Sequence, residues 1–300
     1  MSELLRRRPS GPATLRQQLN DAVAVRRPMV LPGCYDALGA RLIEQAGFDA
    51  VYMTGFGTTA SLLGRPDVGL LGMSEMVDNA RRIAAAVDLP VVADADTGYG
   101  NPINVIRTVQ AYERAGLAGL HIEDQVLPKK CGHMENKQVV DTEVMVAKVA
   151  AAVAARDDDD FVLIARTDAR GPHGLDEALR RATACADAGA DVLFVEALQG
   201  ENEIERVAKE FAGTPLLFNW AEGGKTPPMT YDEIAALGFA MIIMPIGTLL
   251  AATSAMQGFL RNLKAAGTPA GFVDDLMSFQ DFTDLIGLPE VNDLEARFSG

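Results

Sequence analysis

The sequence is poor in the residues that stabilise small disulfide-rich domains or bind nucleic acids. Its 300 residues include only three cysteines, Cys34, Cys131 and Cys185. Their odd number and wide spacing match neither a disulfide framework nor a zinc site. Lys and Arg are also scarce, 27 against 41 Asp and Glu, so the formal net charge is -14. This balance argues against nucleic acid and anionic membranes as partners, although a few local cations could still bind an anionic substrate.

Long hydrophobic runs are missing as well. No apolar stretch approaches the length needed to span a bilayer. The Arg-rich N-terminus has no apolar segment of the kind that a secretory signal contains, and an amphipathic organelle-targeting segment is the weaker alternative. We therefore predict a cytoplasmic protein whose cysteines stay reduced.

Eight short apolar runs, each followed by a helix-like stretch, are the main pattern of the chain. The runs are Met29–Pro32, Ala50–Thr54, Pro90–Ala93, Gly119–Ile122, Phe161–Ala165, Val192–Val195, Pro215–Phe218 and Met241–Met244. Glycines that suit the C-terminal cap of a helix stand shortly before four of them, at Gly47, Gly116, Gly189 and Gly238. Eight strands that alternate with helices predict an α/β fold, the (β/α)₈ TIM barrel.

The ends of the chain depart from this alternation. We predict one barrel domain over residues 1–300, with a flexible lead at 1–13, a helix at 14–25 capped by Thr14, and a helical extension at 248–300. The extension is longer than one barrel helix requires, so we expect it to pack on the barrel or on a neighbouring subunit.

Polar side chains follow almost every predicted strand. Active sites of such barrels are built at the carboxyl ends of the strands. The residues predicted there are Thr54, Gly55 and Phe56 after the second strand, Asp94 and Asp96 after the third, Glu123, Arg166, Glu196 and Asn219 after the next four, and Pro245 after the eighth. Polar residues often just mark where a strand stops, but unpaired charge is costly to bury, so the whole set indicates a site.

Asp94 and Asp96 point to the same side of an extended segment, and Glu123 is expected nearby. Carboxylates cluster without repulsion when a cation lies among them, and oxygen ligands favour Mg²⁺, with Mn²⁺ as the alternative. For Asp96 a second interpretation is open, in which it is a solvated turn residue that caps the next helix.

Two further groups are candidates for binding carboxylates. The turn at Thr54, Gly55 and Phe56 can offer backbone N–H groups. Arg166 either clamps a carboxylate in a bidentate way or forms a structural ion pair with Glu196 or Asp168. His121, two residues before Glu123, is expected to be an interior histidine rather than a catalytic one.

The segment from Lys129 to His133 carries the predicted proton donor. Cys131 follows two lysines, and nearby positive charge lowers the pKa of a thiol. Gly132 permits tight or mobile backbone conformations. We predict that Cys131 is a general acid tuned by Lys130 and His133, that Lys129 holds a carboxylate of the substrate, and that Tyr52 and Gly132 contact the substrate.

Several segments together resemble the isocitrate lyase/phosphoenolpyruvate mutase superfamily. They are Asp94–Asn101, His121–Gln125, Lys129–His133, Ala165–Asp168, Phe194–Ala197 and Glu222–Pro227. Within the superfamily the chain is most similar to methylisocitrate, dimethylmalate and petal-death-type lyases, and its loop also resembles that of carboxyphosphoenolpyruvate phosphonomutase. The superfamily's methylisocitrate lyases commonly have an arginine where this chain has Met134, which favours a smaller 2-alkylmalate over a tricarboxylate.

The resemblance implies a Mg²⁺ site with Asp94 on the metal and Asp67, Asp96 and Glu123 acting mostly through water. It implies that Thr54, Gly55 and Phe56 hold the carboxylate of an α-keto acid, that Arg166, Glu196 and Asn219 orient the substrate, and that residues 129–133 form a mobile loop. It also implies a homo-oligomer, a dimer of dimers, whose eighth helix is swapped between subunits.

The predicted activity is Mg²⁺-dependent cleavage of a carbon–carbon bond in a 2-hydroxy dicarboxylate, or a methylisocitrate-type tricarboxylate, to an α-keto acid and a carboxylic acid. Alternatives are a phosphonomutase, an oxaloacetate hydrolase or decarboxylase and, lowest in rank, a barrel kept as a binding scaffold.

Overall fold

The computed structural model describes residue 5, residues 10–132 and residues 136–299. Contacts between residues divide this part of the chain into two compact units. Residues 10–249 form a barrel, and residues 250–299 form a set of helices.

Eight parallel strands form the barrel wall in the order β6-β5-β4-β3-β2-β1-β8-β7. They are β1 (Met29–Cys34), β2 (Val51–Met53), β3 (Val91–Asp94), β4 (Gly119–Glu123), β5 (Val162–Thr167), β6 (Val192–Val195), β7 (Leu217–Asn219) and β8 (Met241–Met244). The two edge strands meet where Leu193 N–H donates to the Pro215 carbonyl and forms a parallel bridge to Leu216. The predicted (β/α)₈ barrel is confirmed, since each predicted apolar run contains or overlaps one strand.

Helices connect the strands and cover the outside of the wall. In the described part of the barrel unit they are α1 (Gly11–Val25), α2 (Ala37–Gln45), α3 (Gly55–Leu63), α4 (Met73–Ala86), α5 (Pro102–Arg114), α6 (Thr142–Ala155), α7 (Arg170–His173), α8 (Leu175–Asp187), α9 (Glu201–Glu210) and α10 (Tyr231–Leu237). The four glycines predicted as caps all have positive φ, between 80° and 100°. That backbone conformation is open to glycine without steric cost, so these helices end where the sequence predicts.

Helix α1 closes the amino-terminal end of the barrel. Its buried Leu15 and Leu19 pack with inward-facing strand residues such as Leu31 and Phe194. The prediction for its start was wrong: residues 11–13 are helical rather than part of a lead, and Ser10 instead of Thr14 is the cap, accepting from Ala13 N–H. Residues 1–4 and 6–9 of the predicted lead lie outside the described residues.

The chain after β8 is helical, which confirms the predicted C-terminal helices. They are α11 (Gly247–Ala266), a 3₁₀ turn at Val273–Asp275, α12 (Phe279–Leu285) and α13 (Leu288–Phe298). A search of the described residues finds no helix long and apolar enough to cross a membrane.

Candidate active site

A cavity of about 280 Å³ opens at the carboxyl ends of the strands. Twelve predicted site residues line it: Tyr52, Thr54, Phe56, Asp67, Asp94, Glu123, Lys129, Cys131, Gly132, Arg166, Glu196 and Asn219. Gly55 and Asp96 lie behind this wall, against Asp94 and Lys129 respectively. His133 lies outside the described residues. The barrel therefore brings together side chains that the sequence separates by more than 160 positions, from 52 to 219.

Carboxylates surround one buried lysine on the β3–β4 side of the cavity. The ammonium of Lys129 lies 2.6 Å from Asp67 Oδ2 and 2.6 Å from Asp96 Oδ1. Asp94 ends β3, and its Oδ1 accepts a hydrogen bond of 2.9 Å from the Asp96 backbone N–H. Asp96 has a positive φ of 49°, and its carbonyl accepts from Glu123 N–H. The local backbone thus holds the acidic side chains of two strands against each other.

The pKa values in this cluster reflect burial with an excess of negative charge. Burial raises the pKa of Asp96 to about 7 and, with Asp94 and Asp67 close by, outweighs the effect of Lys129. Burial also raises the pKa of Glu123 well above its usual range. The pKa of Lys129 is raised as well, because the surrounding carboxylates outweigh the desolvation that opposes its charge. Additional positive charge at this position would favour the ionised form of every one of these acids.

The donor set suits a hard cation that keeps part of its water shell. Within the described ranges, no three Asp, Glu, His or Cys side chains converge closely enough to hold an ion by themselves. The cluster is nevertheless all oxygen, and the buried Glu123 Oε1 has no hydrogen-bond partner among the described residues. Mg²⁺ typically binds through one or two carboxylates, with water or substrate oxygens completing its coordination. The residues present therefore fit such an ion.

Arg166 connects the other side of the cavity to a buried ion-pair network. It donates from Nε and Nη2 to the two oxygens of Asp168 at 2.9 and 3.1 Å. Its guanidinium also lies 3.3 Å from Glu123 and 3.4 Å from Glu196. The predicted structural ion pairs are thus both present, and they fix the guanidinium at the cavity wall. Asn219 Nδ2 donates to Glu196 Oε2 at 3.1 Å, which extends the network to β7.

The segment that carries Cys131 is held by its neighbours on both sides. The Gln125 side chain donates to the Lys130 carbonyl at 2.8 Å and accepts from Lys130 N–H at 2.9 Å. Gly132 lies so close to the network that an added Cβ would be 2.4 Å from Arg166 Nη2 and 2.7 Å from Glu196 Cδ. Cys131 is half-buried and lines the cavity. The space at position 132 is too small for a side chain larger than that of glycine.

The turn after β2 becomes the first turn of α3. Thr54 caps this helix by accepting a hydrogen bond of 3.1 Å from Gly57 N–H. A Cβ at Gly55 would be 2.4 Å from Asp94 Oδ2, so only glycine allows the backbone to approach this carboxylate. The first-turn N–H groups of a helix attract anions, and here they lie beside the cavity.

His121 is an interior residue, as predicted, but its Nδ1 has no hydrogen-bond partner among the described residues. It is fully buried, its ring stacks on Tyr52, and the Tyr52 hydroxyl lies 2.8 Å from its Nε2. Burial lowers its pKa to about 4. The pair holds the Tyr52 ring in place at the cavity wall.

Several residues around the cavity were not predicted. Lys137 pairs with Asp168 at 2.6 Å and donates to the Gly132 carbonyl. Ala221, Glu222 and Ile246 also line the cavity. Asp168 follows Arg166 by two positions, so strand alternation was a signal for that pair. No comparable periodicity marks Lys137.

A family model described as phosphoenolpyruvate phosphomutase matches residues 19–264. The chain belongs to this family. The match spans most of the chain, including every cavity residue named above, and confirms the superfamily that the sequence motifs resemble.

Individual relatives differ in their named activities. The 2,3-dimethylmalate lyase of Eubacterium barkeri is 46% identical over 94% of this chain and 97% of its own. A solved oxaloacetate acetylhydrolase, in complex with 3,3-difluorooxalacetate, superposes with a TM-score of 0.91 at 39% identity, covering 98% of this chain and 99% of its own. A phosphonopyruvate hydrolase solved with oxalate and Mg²⁺ has a TM-score of 0.88 at 32% identity, covering 97% and 100%.

Proposed function

We propose that this chain is a Mg²⁺-dependent carbon–carbon lyase that cleaves a 2-alkylmalate-type 2-hydroxy dicarboxylate. The observation that carries the proposal is a single cavity lined by Cys131, Arg166 and the carboxylates of Asp67, Asp94 and Glu123. The chain that contains it is 46% identical to a 2,3-dimethylmalate lyase. For 2,3-dimethylmalate the products are pyruvate and propionate.

Asp94 would hold the metal directly, with Asp67, Asp96 and Glu123 acting through water, and Mn²⁺ would serve as a substitute. When bound, the ion supplies Lewis-acid stabilisation of charge on the substrate oxygen. The Mg²⁺ in the phosphonopyruvate hydrolase structure and the all-oxygen donors of this cluster support this assignment. Lys129 neutralises part of the negative charge of these carboxylates and holds Asp67 and Asp96 in place while the charge on the substrate changes.

The reaction begins with loss of the proton on the substrate hydroxyl. Glu123 fits the role of acceptor, because its Oε1 has no hydrogen-bond partner among the described residues and burial raises its pKa. The C2–C3 electron pair then moves onto C3, and C2 becomes the carbonyl carbon of pyruvate. The carbanion at C3 is stabilised by its carboxylate and takes one proton from Cys131 Sγ, giving propionate. His133 is proposed to assist this thiol.

The remaining cavity residues bind and orient the substrate. The first turn of α3, at Thr54, Gly55 and Phe56, is proposed to hold the carboxylate next to the new carbonyl. Tyr52, Gly132, Arg166, Glu196 and Asn219 are proposed to fix the rest of the molecule. Fixing both fragments in this way lowers the entropic cost of reaching the transition state. We further propose a cytoplasmic homo-oligomer, a dimer of dimers with a swapped eighth helix.

Phosphomutase and oxaloacetate hydrolase activity are the two alternatives, because related proteins are named for them. The family model is described as a phosphomutase, and the solved oxaloacetate acetylhydrolase superposes with a TM-score of 0.91. A phosphomutase moves a phosphoryl group between oxygen and carbon and needs no proton donor. A hydrolase of oxaloacetate adds water and releases acetate and oxalate.

A substrate screen with and without Mg²⁺ separates the three. The substrates are 2,3-dimethylmalate, 2-methylisocitrate, citramalate, oxaloacetate and phosphonopyruvate, with products identified by NMR. The lyase predicts pyruvate and propionate from 2,3-dimethylmalate, lost on adding EDTA and restored by Mg²⁺. Turnover confined to oxaloacetate, or a rearranged carbon–phosphorus bond, would replace the proposal with one of the alternatives.

A further inference from the structure

Lys137 is a buried cation beside the cavity that the proposed mechanism does not use. Its side chain is only 5% exposed. Among the described residues, the ammonium donates to the carbonyl of Gly132 and pairs with Asp168 Oδ1 at 2.6 Å. One nitrogen therefore links the backbone directly after Cys131 to the ion-pair network of β5.

The network on the far side of this link is fixed at several points. The Asp168 carboxylate accepts hydrogen bonds from Nε and Nη2 of Arg166. Its backbone N–H donates to Asp124 Oδ1 at 2.8 Å. Asp124 in turn accepts from the Thr167 hydroxyl at 2.7 Å. Asp168 is fully buried, so it offers Lys137 a rigid partner.

Gly132, at the other end of this link, is tightly packed. A single added carbon at Gly132 would contact Arg166 and Glu196, so this peptide already packs against the guanidinium. Cys131 is the residue directly before Gly132, and both line the cavity, so a shift of the Gly132 backbone would also move Cys131. We propose that Lys137 is a positioning residue, which ties the Gly132 carbonyl to Asp168 and thereby holds the adjacent Cys131 with its thiol at the cavity. The proposal deepens the proposed lyase function, and its catalytic consequence rests on Cys131 acting as the proton donor there.

Alkylation of Cys131 by iodoacetamide tests the positioning without any substrate. Cys34 and Cys185 are buried, and a Cys131→Ala protein gives the background rate. Lys137→Met removes the charge and keeps the length of the side chain. We expect it to change the rate at Cys131 roughly tenfold, as an increase, because a charge-assisted hydrogen bond no longer holds the segment. Lys137→Arg retains two donors and should fall between this variant and the wild type.

Lys209→Met is the matched control, because Lys209 is an exposed lysine in the last turn of α9. It should alkylate at the wild-type rate. Melting temperature is measured for every variant, and Lys137→Gln replaces Lys137→Met if the latter does not fold. An unchanged rate at Cys131 in a folded, neutral variant would overturn the positioning role.

Steady-state kinetics with 2,3-dimethylmalate and Mg²⁺ then test the catalytic consequence. Lys137→Met should lower kcat roughly 10²-fold, as a misaimed catalytic group does, with KM changed by less than about threefold. A lower kcat with unaltered alkylation would also overturn the proposal, since Lys137 would then act through Arg166. Faster alkylation of Lys137→Met, combined with a wild-type protein that does not turn over this substrate, would support the positioning role and reject the proposed lyase.

Discussion

The two ends of the same eight strands are built from opposite chemistry. At the amino-terminal end, Leu15 and Leu19 of α1 pack against apolar residues inside the barrel. At the carboxyl end the side chains of Asp94, Glu123 and Arg166 are also buried, yet they are ionisable. A few residues along each strand separate a hydrophobic core from a dense ionic cluster.

The difference shows which end stabilises the fold and which end costs stability. Apolar burial contributes roughly 25 cal/mol per Å² removed from water. Buried charges are expensive to desolvate, and their mutual attraction often only offsets that cost. We infer that the apolar end supports the fold and that the ionic end is retained for chemistry. Each prediction below tests this division of roles.

The largest expected effect is at the ionic end. Cys131→Ala should lower kcat for 2,3-dimethylmalate by roughly 10²–10⁴-fold, the usual contribution of a general acid, with little change in melting temperature. Cys185→Ala is the matched control, because Cys185 belongs to α8 and its side chain is buried in the core. It should lose stability and keep its kcat. Equal kcat values for the two variants would remove Cys131 from the mechanism.

The reverse result is expected at the apolar end. Leu15→Ala should lower the free energy of unfolding by roughly 2–5 kcal/mol, because it removes buried methyl groups and leaves a cavity. Urea denaturation measures the loss, and kcat and KM of the folded protein should stay at wild-type values. Val23→Ala, on the same helix but 39% exposed, should change stability by less than about 0.5 kcal/mol. A kcat effect of Leu15→Ala in the folded protein would break the division between the two ends.

His121 lies where the two ends meet, and it makes stability depend on pH. Burial lowers its pKa to about 4 from an ordinary value of 6.5. Between these values the unfolded chain binds a proton that the folded chain does not, so stability decreases as the pH falls. The expected loss between pH 7 and pH 5 is roughly 2 kcal/mol. Urea unfolding of the wild type and of His121→Gln at both pH values isolates this contribution, and equal pH dependence in the two proteins would exclude it.

The smallest effect is expected from one added methyl group. Gly132→Ala should lower kcat roughly tenfold, because the new Cβ has to displace Arg166 Nη2 or Glu196 Cδ. Gly258→Ala in α11 is the control, since no atom of the described residues lies within 4 Å of its added Cβ. That substitution should leave kcat unchanged. A wild-type kcat for Gly132→Ala would show that the Arg166 side chain yields easily, contrary to its bidentate pairing.

The sequence predicts the parts of this molecule that depend on local pattern. The strands are predicted by short apolar runs. The helix ends are predicted by glycines such as Gly47 and Gly238, because glycine readily adopts the positive φ that ends a helix. The site follows because each strand of a barrel ends on the same face. The start of α1 was missed because Ser10 and Thr14 are both plausible caps, and only the observed hydrogen bond to Ser10 decides between them.

The partners of the buried cations were beyond the reach of the sequence. The pairing of the Lys129 ammonium with Asp67, which is 62 residues away, was not predicted. Lys137 and Asp168 are 31 residues apart and come together only through the path of the chain after β4. Long charged side chains have many rotamers, so their partners depend on tertiary packing that no periodicity encodes.

The most direct test of the account is turnover of 2,3-dimethylmalate in D₂O with Mg²⁺, followed by mass measurement of the propionate. Proton transfer from a solvent-exchanged thiol to the C3 carbanion predicts one deuterium in each propionate formed by the wild-type protein. It also predicts that formation of this product by Cys131→Ala is slowed by the same factor as kcat. Propionate formed at an undiminished rate by Cys131→Ala, or no pyruvate and propionate from either protein, would contradict the proposed lyase mechanism.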